Sequence, residues 1–412
     1  MKENLIEKYA RLIVEVGCNL QPGQILVIQV KNEEIELARA VTKAAFAAKA
    51  KDVVVFIEDN EIQRLRALNA DKETLETVAP WKKEALEYFF KDDAVQMVVF
   101  GSYPEVMSGI DEEKALAVGQ ADNDLRNVVR KYIHAGTLQW VGTIWPNLEW
   151  AKQVYPQLDE QSALKQLEKD FCLMLRIDDE SDPVVNWHKH CEELSKISSA
   201  LNQANFKTLH IKTGLGTDLT LDLVKNHRWG AASENGESKT RANYLANLPT
   251  EEIYCVPDYR QVNGKVVAAL PLVVSGKLVT DFGFNFVDGL ATEAWAKDNE
   301  EVLRKTIFAD DSTRRLGEVA LVSKHSPISQ LKRVYYNGLI DENAASHLAF
   351  GASFPSNVAG GLDMSKEELL ANGINQSPLH LDFMIGTDDM EVVGYTYDGK
   401  AIPIMENGEF VL

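Results

Sequence analysis

The sequence has few cysteines, and none is spaced for metal or redox chemistry. The four are Cys18, Cys172, Cys191 and Cys255. A cysteine zinc site or a CxxC redox pair needs two thiols within a few residues of each other. We therefore predict reduced, buried thiols, which are typical of proteins of the cytoplasm.

Long apolar segments are also absent. The start, Met1-Lys2-Glu3-Asn4-Leu5-Ile6-Glu7, carries charges where a signal peptide needs apolar residues. The longest strongly apolar run, Val266 to Val274, contains Pro271 and is too short to span a bilayer. These features predict a cytoplasmic protein with no membrane attachment.

Basic residues are scarce relative to acidic ones. The 412 residues include 43 Lys and Arg against 62 Asp and Glu, a formal net charge of −19. Because a negative field repels phosphate backbones and anionic membrane surfaces, the charge argues against nucleic-acid and membrane partners. The composition, with 45% hydrophobic residues, is otherwise that of packed globular domains.

The first half of the chain alternates apolar runs with helical segments. The predicted strands are Ile25 to Val30, Val53 to Ile57, Val95 to Phe100, Leu138 to Ile144 and Phe171 to Leu175. One helical segment runs from Glu33 to Ala48, two others begin near Lys82 and near Leu148, and the last runs from Val184 to Asn205. Uninterrupted strands between helices are typical of parallel sheets with crossover helices. We predict a doubly wound, mostly parallel α/β domain over residues 1–205.

After residue 205 the pattern changes to alternation of apolar and polar residues, as in Leu219, Leu221 and Leu223. Asp398-Gly399 and Asn407-Gly408 are strong two-residue hairpin turns. This half is predicted to be a β-rich α+β domain over residues 206–412, interrupted by one helix around 299–308.

One candidate metal-binding pair lies in a strand-like segment near the C-terminus. His380 and Asp382 alternate with Leu379, Leu381 and Phe383. Residues two apart in a strand project from the same face, about 6.6–6.8 Å apart. The two side chains could therefore bind one metal ion or two adjacent ions. A simple hydrogen-bonded pair is the alternative.

Further candidates lie upstream. Glu252 and Glu318 stand in apolar, strand-like segments, where a carboxylate is costly to bury unless it is paired or bound to a cation. The alternative is an exposed position on an edge strand. Glu342 and His347 are five residues apart, about 140° around a helix, so joint ligation requires a loop or a strand end. Together these imidazoles and carboxylates suit a two-metal hydrolytic centre.

Four segments resemble the motif blocks of the thermophilic metalloaminopeptidase family of aminopeptidase T, AmpS and PepS. They are Asn247 to Ile253, Arg315 to Ala320, Asp341 to Asn343 followed by His347 to Gly351, and His380 to Gly386. The order, the spacing and the chain length extend the resemblance over essentially the whole sequence.

The resemblance implies a homodimer that removes N-terminal residues from peptides with a metal centre in the C-terminal domain. We predict two divalent ions there, and the oxygen and imidazole ligands admit zinc, cobalt or manganese. The implied metal ligands are Glu252, Glu318, Glu342, His347, His380 and Asp382. Glu318 and Glu252 are also the candidates for the catalytic proton carrier. Glu251 is expected to be the solvent-side neighbour of Glu252.

One departure from the family pattern leaves alternatives open. The family commonly has a tyrosine shortly after the His-Leu-Ala block, and this chain has Phe354, which cannot donate a hydrogen bond. A catalytically silent, dimeric peptide-binding protein is therefore one alternative. A two-metal phosphoesterase is another, although it needs cationic groups for phosphate, for which Lys324 and Arg333 could serve.

Overall fold

The computed structural model describes residues 3–103, 106–232, 234–235 and 242–412. Met1 and Lys2, which begin the charged N-terminal segment, lie outside this range. The α-helices are α1 (Glu3–Leu12), α2 (Ile35–Ala47), α3 (Asn60–Asn69), α4 (Lys72–Glu76), α5 (Pro80–Lys91), α6 (Glu112–His134), α7 (Leu148–Val154), α8 (Glu160–Met174), α9 (Pro183–Ala204), α10 (Glu300–Ile307), α11 (Pro327–Gln330), α12 (Gly338–Glu342) and α13 (Lys366–Ala371).

The strands of the described residues are β1 (Ile25–Lys31), β2 (Asp52–Glu58), β3 (Val95–Val99), β4 (Trp140–Thr143), β5 (Phe206–Lys212), β6 (Asp218–Leu223), β7 (Glu234–Asn235), β8 (Asn243–Tyr244), β9 (Asn247–Leu248), β10 (Glu252–Cys255), β11 (Pro257–Val267), β12 (Leu272–Val274), β13 (Lys277–Val279), β14 (Gly283–Val287), β15 (Leu290–Trp295), β16 (Leu316–Val322), β17 (His347–Gly351), β18 (His380–Met384), β19 (Glu391–Thr396), β20 (Ala401–Glu406) and β21 (Glu409–Phe410).

The chain forms two compact units. The first comprises Met1–Lys189 and Ser233–Leu248, and the second comprises His190–Ala232 and Pro249–Leu412. The changeover falls inside helix α9, whereas the predicted boundary near residue 205 follows the end of that helix. The division into domains 1–205 and 206–412 therefore stays a proposal about the chain.

The first unit is built on a five-stranded parallel sheet in the order β2-β1-β3-β4-β9. Strands β1 to β4 lie where the sequence predicts strands, and helices follow β1, β2, β3 and β4. The prediction of a mostly parallel α/β fold is confirmed. Within the described residues, no helix combines the length and apolarity needed to cross a membrane.

One predicted strand is wrong. Phe171 to Leu175 lies at the end of helix α8 and just after it, not in the sheet. The buried helix residues Ala163, Leu167 and Phe171 recur every four positions, a helical period that outweighs the short apolar run. Asp159 caps this helix by accepting a hydrogen bond from Ser162 N at 3.1 Å.

The second unit contains two main antiparallel sheets. The larger of these two has eight strands in the order β15-β14-β11-β6-β5-β19-β20-β21, the smaller has four in the order β10-β16-β17-β18, and β12 and β13 form a separate two-stranded sheet. Aromatic rings pack between them: Phe284 of β14 lies 4.8 Å from Phe350 of β17 and 5.2 Å from Phe383 of β18, centroid to centroid. The β-rich prediction for this half is confirmed. We call the four-stranded sheet the ligand sheet, because all but one of the predicted metal ligands lie on its strands.

Candidate metal centre

Strand alternation gives the ligand sheet two chemically different faces. Leu348, Phe350 and Phe383 point to the apolar side and are at most 1% exposed. The residues that alternate with them face the other way. That second face carries Glu252 on β10, Glu318 on β16, His347 on β17, and His380 and Asp382 on β18.

The polar side chains of this face form two groups that share one residue. Ligand atoms of Glu252, Glu318 and His347 lie within 4.8 Å of one another, and so do those of Glu318, His380 and Asp382. The structure thus brings together five of the six predicted ligands. Glu318 belongs to both groups, as a carboxylate bridging two ions would.

The two imidazoles are surrounded by carboxylates. His347 Nε2 lies 3.1 Å from Glu252 Oε2 and 4.0 Å from Asp382 Oδ1. His380 Nε2 lies 3.2 Å from Glu318 Oε2 and 3.3 Å from Asp382 Oδ1. A cation between these atoms would have imidazole nitrogen and carboxylate oxygen as donors, which zinc, cobalt and manganese all accept.

Backbone carbonyls fix the orientation of both imidazoles. His347 Nδ1 donates to Ala345 O at 3.2 Å, and His380 Nδ1 donates to Ala352 O at 2.8 Å. A carbonyl only accepts, so the neutral ring carries its proton on Nδ1 and presents the Nε2 lone pair to the carboxylates. Metal-ligating histidines commonly donate their other ring N–H to a backbone carbonyl in this way.

Small side chains leave room between the ligands. Ala349 pairs with Glu318 on one neighbouring strand and with Asp382 on the other, and Ala320 pairs with His347. Both alanines are buried, at 0% and 1% exposed. Because directly paired residues share a face, Ala349 lies between two ligand side chains and Ala320 lies beside one, and both leave space above the sheet.

One carboxylate oxygen of Asp382 has no hydrogen-bond partner among the described residues. This oxygen, Oδ1, is buried. An unsatisfied buried carboxylate oxygen is costly, and a bound cation removes that cost. The donor set and this oxygen together fit a divalent ion.

The crowded charges shift several pKa values. Burial and the charge of Glu252 and Asp382 raise the pKa of the Glu318 carboxyl, although His380 opposes the shift. Burial would lower the pKa of His347, but the hydrogen bond and charge of Glu252 raise it to about 10. The pKa of His380 is likewise raised, by Asp382 and Glu318 against burial. Protons on these imidazoles partly neutralise the carboxylates, and a metal ion would replace them.

Glu342 is the predicted ligand that neither group includes. It lies at the end of α12, outside the ligand sheet. Burial and the charges of Glu252 and Asp382 raise the pKa of its carboxyl well above the usual value. The Glu342 carboxyl therefore interacts electrostatically with the carboxylates of the two groups. Its role as a ligand stays a prediction.

A buried network behind Glu252 was missed by sequence reasoning. Glu251 is 3% exposed, so the expectation of a solvent-side position is wrong. His190 Nε2 lies 2.9 Å from Thr250 O and 3.4 Å from Glu251 Oε2, and Glu251 N donates to Asn343 Oδ1 at 2.7 Å. These contacts fix the start of β10. No local pattern reveals them, since the partners are 60 and 92 residues apart.

Phe354 lies at the site, as its place after the His-Leu-Ala block predicts. Its ring centroid is 5.0 Å from that of the His380 imidazole. The departure from the family tyrosine therefore falls beside a candidate metal ligand.

Comparison with known proteins identifies the family. The model of the thermophilic metalloprotease family (M29) matches residues 2–410. The chain belongs to the thermophilic metalloprotease family. It is 37% identical to aminopeptidase PepS of Streptococcus thermophilus over 100% of this chain and 98% of that protein. It is 35% identical to aminopeptidase AmpS of Bacillus subtilis, covering 98% of each.

A solved structure agrees. The structure of wild-type AmpT from Thermus thermophilus superposes with a TM-score of 0.92 at 32% identity, covering 100% of both chains. The family resemblance and the α/β two-domain fold are thus confirmed, and membership in this family supports a metal-dependent aminopeptidase.

Neither alternative function is supported. Lys324 and Arg333, the residues that a phosphoesterase would need for phosphate, line a cavity of about 210 Å³ whose lining includes none of the candidate ligands. A silent binding protein has no support among the named relatives, which are aminopeptidases.

Filling the space above the ligand sheet should weaken metal binding without replacing a ligand. We expect Ala349→Leu to lower the affinity for Zn²⁺ at least about tenfold, because its side chain would stand between Glu318 and Asp382. Metal content and competition with a chromogenic chelator measure the loss. Ala401→Leu, at an exposed position of β20, is the control. Full metal binding by the Ala349 variant would contradict the placement of the ions.

Metal uptake by the metal-free protein should release protons. With the pKa of His347 near 10 and that of His380 raised, both imidazoles are protonated at pH 7 and must lose a proton to bind an ion. We expect at least about two protons per chain to be released, and the affinity to rise between pH 6 and pH 8. Titration calorimetry in buffers of different ionisation enthalpy measures the release. Binding without proton release would contradict this account.

Proposed function

We propose that this metal-dependent aminopeptidase holds two divalent ions and releases single residues from the N-termini of peptides. The observation that carries the proposal is the sharing of Glu318 between two ligand groups. One group adds Glu252 and His347, and the other adds His380 and Asp382. Two adjacent sites joined by a carboxylate suit hydrolysis by a two-metal centre.

Ions bound there would acidify a water molecule and polarise the scissile carbonyl. The protein's own carboxylates would handle the proton. Glu318 and Glu252 lie at the centre of the site and are the two candidates to accept a proton from the attacking water and pass it to the leaving amine. Glu318 is 5% and Glu252 8% exposed, so both act away from bulk water.

The free amine of a peptide end accounts for the choice of N-termini. Glu252, Glu318, Asp382 and the two imidazoles would hold two ions, one of which is available to anchor that amine. An internal peptide bond offers no such group. The proposal therefore predicts exopeptidase and not endopeptidase activity.

A set of chromogenic substrates tests the proposal. Protein loaded with Zn²⁺, Co²⁺ or Mn²⁺ should hydrolyse leucine p-nitroanilide and lose the activity in chelator. The matched N-acetylated substrate, which lacks the free amine, should not be hydrolysed, and p-nitrophenyl phosphate should be untouched. Hydrolysis of the acetylated compound, or of the phosphate alone, would rule out an aminopeptidase centre.

Removing one charge at the shared position should disable the site. We expect Glu318→Gln to lower turnover at least about 10²-fold, because the amide is a poor ligand and cannot carry the proton. Glu391→Gln, on the exposed side of β19, controls for a general effect of the substitution. Near-normal turnover in the Glu318 variant would remove this residue from the centre.

We also propose that the protein is a cytoplasmic homodimer. The four cysteines are free thiols, two of them buried, which fits a reducing compartment. The dimer rests on the family resemblance. Light scattering coupled to gel filtration measures the mass, and a particle of 46.0 kDa would be a monomer.

A further inference from the structure

Two aromatic side chains stand beside the metal ligands without belonging to them. The Phe354 ring lies 5.0 Å from the His380 ring, and the Tyr254 ring lies 6.3 Å from Phe354, edge to face. Tyr254 pairs with Ala320, which pairs with His347, so the strand register places Tyr254 on the ligand face. We call Tyr254 and Phe354 the aromatic wall.

The wall is open to solvent, unlike the aromatic core behind the sheet. Phe354 is 36% exposed, whereas Phe284, Phe350 and Phe383 are at most 1% exposed. An apolar group that binds to exposed apolar surface removes that surface from water. This stabilises the complex in proportion to the area covered. An exposed phenylalanine in contact with a metal ligand is thus suited to contact a substrate.

The wall is also fixed in place. Gly230 N donates to Tyr254 O at 2.8 Å, and Tyr254 N donates to Gly230 O at 3.1 Å. A Cβ at residue 230 would lie 2.8 Å from Tyr254 Cζ, so only glycine admits the ring. On the other side, Arg228 N donates to Asn357 O at 2.7 Å, three residues after Phe354. Because the surface is already ordered, binding does not incur the entropy cost of fixing its side chains.

The chemistry of the opposite side decides what the wall can hold. An N-terminal residue carries its charged amine and its side chain on one carbon atom. The metal centre built on Glu252, Glu318 and Asp382 would hold the amine. The side chain on the same carbon atom is then close to the rings, which offer it apolar contacts.

Resting on the proposed function, we propose that Tyr254 and Phe354 bind the side chain of the N-terminal residue. The substrate class is peptides that begin with a large apolar or aromatic residue. Phe354 is then a specificity-determining residue of the aminopeptidase reaction.

Substitution of the wall should change preference more than turnover. We expect Phe354→Ala to lower kcat/KM for phenylalanine p-nitroanilide at least about tenfold relative to alanine p-nitroanilide, mainly through KM. Tyr254→Ala should act in the same direction, and Phe354→Leu should give an intermediate ratio because it keeps apolar bulk. Tyr397→Ala, which removes a tyrosine that is 53% exposed after β19, is the matched control.

Binding of free amino acids provides a readout independent of turnover. For metal-loaded protein, calorimetry should show that Phe354→Ala lowers the affinity for L-phenylalanine at least about fivefold. The affinity for L-alanine should fall less than about twofold. Metal content and melting temperature confirm that each variant is folded. Equal losses for both amino acids, or unchanged ratios in all wall variants, would overturn the proposal. Wild-type protein inactive on both anilides would instead contradict the proposed function, while the binding ratios would still test the wall.

Discussion

The central constraint on this structure is the repulsion between carboxylates that lie close together on one face of the ligand sheet. Glu252, Glu318 and Asp382 lie around two imidazoles, and Asp382 Oδ1 is buried and accepts no hydrogen bond from the part of the chain that the structure describes. Like charges in a poorly hydrated site cannot all ionise unless cations compensate for them. In the metal-free protein, protons on His347 and His380 compensate for part of this negative charge. Divalent ions compensate for more of it, so the site favours metal binding.

The remainder of the second unit stabilises the strands that carry this concentration of charge. The apolar face of the ligand sheet packs on the aromatic core, so the strands are held independently of the ligands. Carbonyls orient the imidazoles, alanines leave space, and Asn343 holds the backbone before Glu252. Each ligand is thereby fixed by groups that do not themselves bind the ion, as a rigid catalytic site requires. Phe354 lies beside the ligand His380 and is not part of that core.

Much of the fold and of the site followed from the sequence, and the failures have physical causes. The spacing of His380 and Asp382 predicts a shared face, because strand geometry is local. Glu252 and Glu318 are candidates because of their apolar strand-like segments, but their assignment as ligands rests on the family resemblance, since pairing across strands cannot be read from periodicity. Phe171 to Leu175 was misassigned because five apolar residues suit a strand or a helix. Glu251 and His190 were missed because burial of a charged residue depends on distant partners, here Thr250 and Asn343.

The most direct test is an anomalous-diffraction map of crystals of the protein loaded with Zn²⁺. The account predicts two peaks on the ligand sheet, one beside Glu252 and His347, the other beside His380 and Asp382, with Glu318 contacting both. Ligand distances should be about 2.0–2.2 Å. A map with no peak among these five side chains, or with zinc bound only elsewhere, would contradict the account.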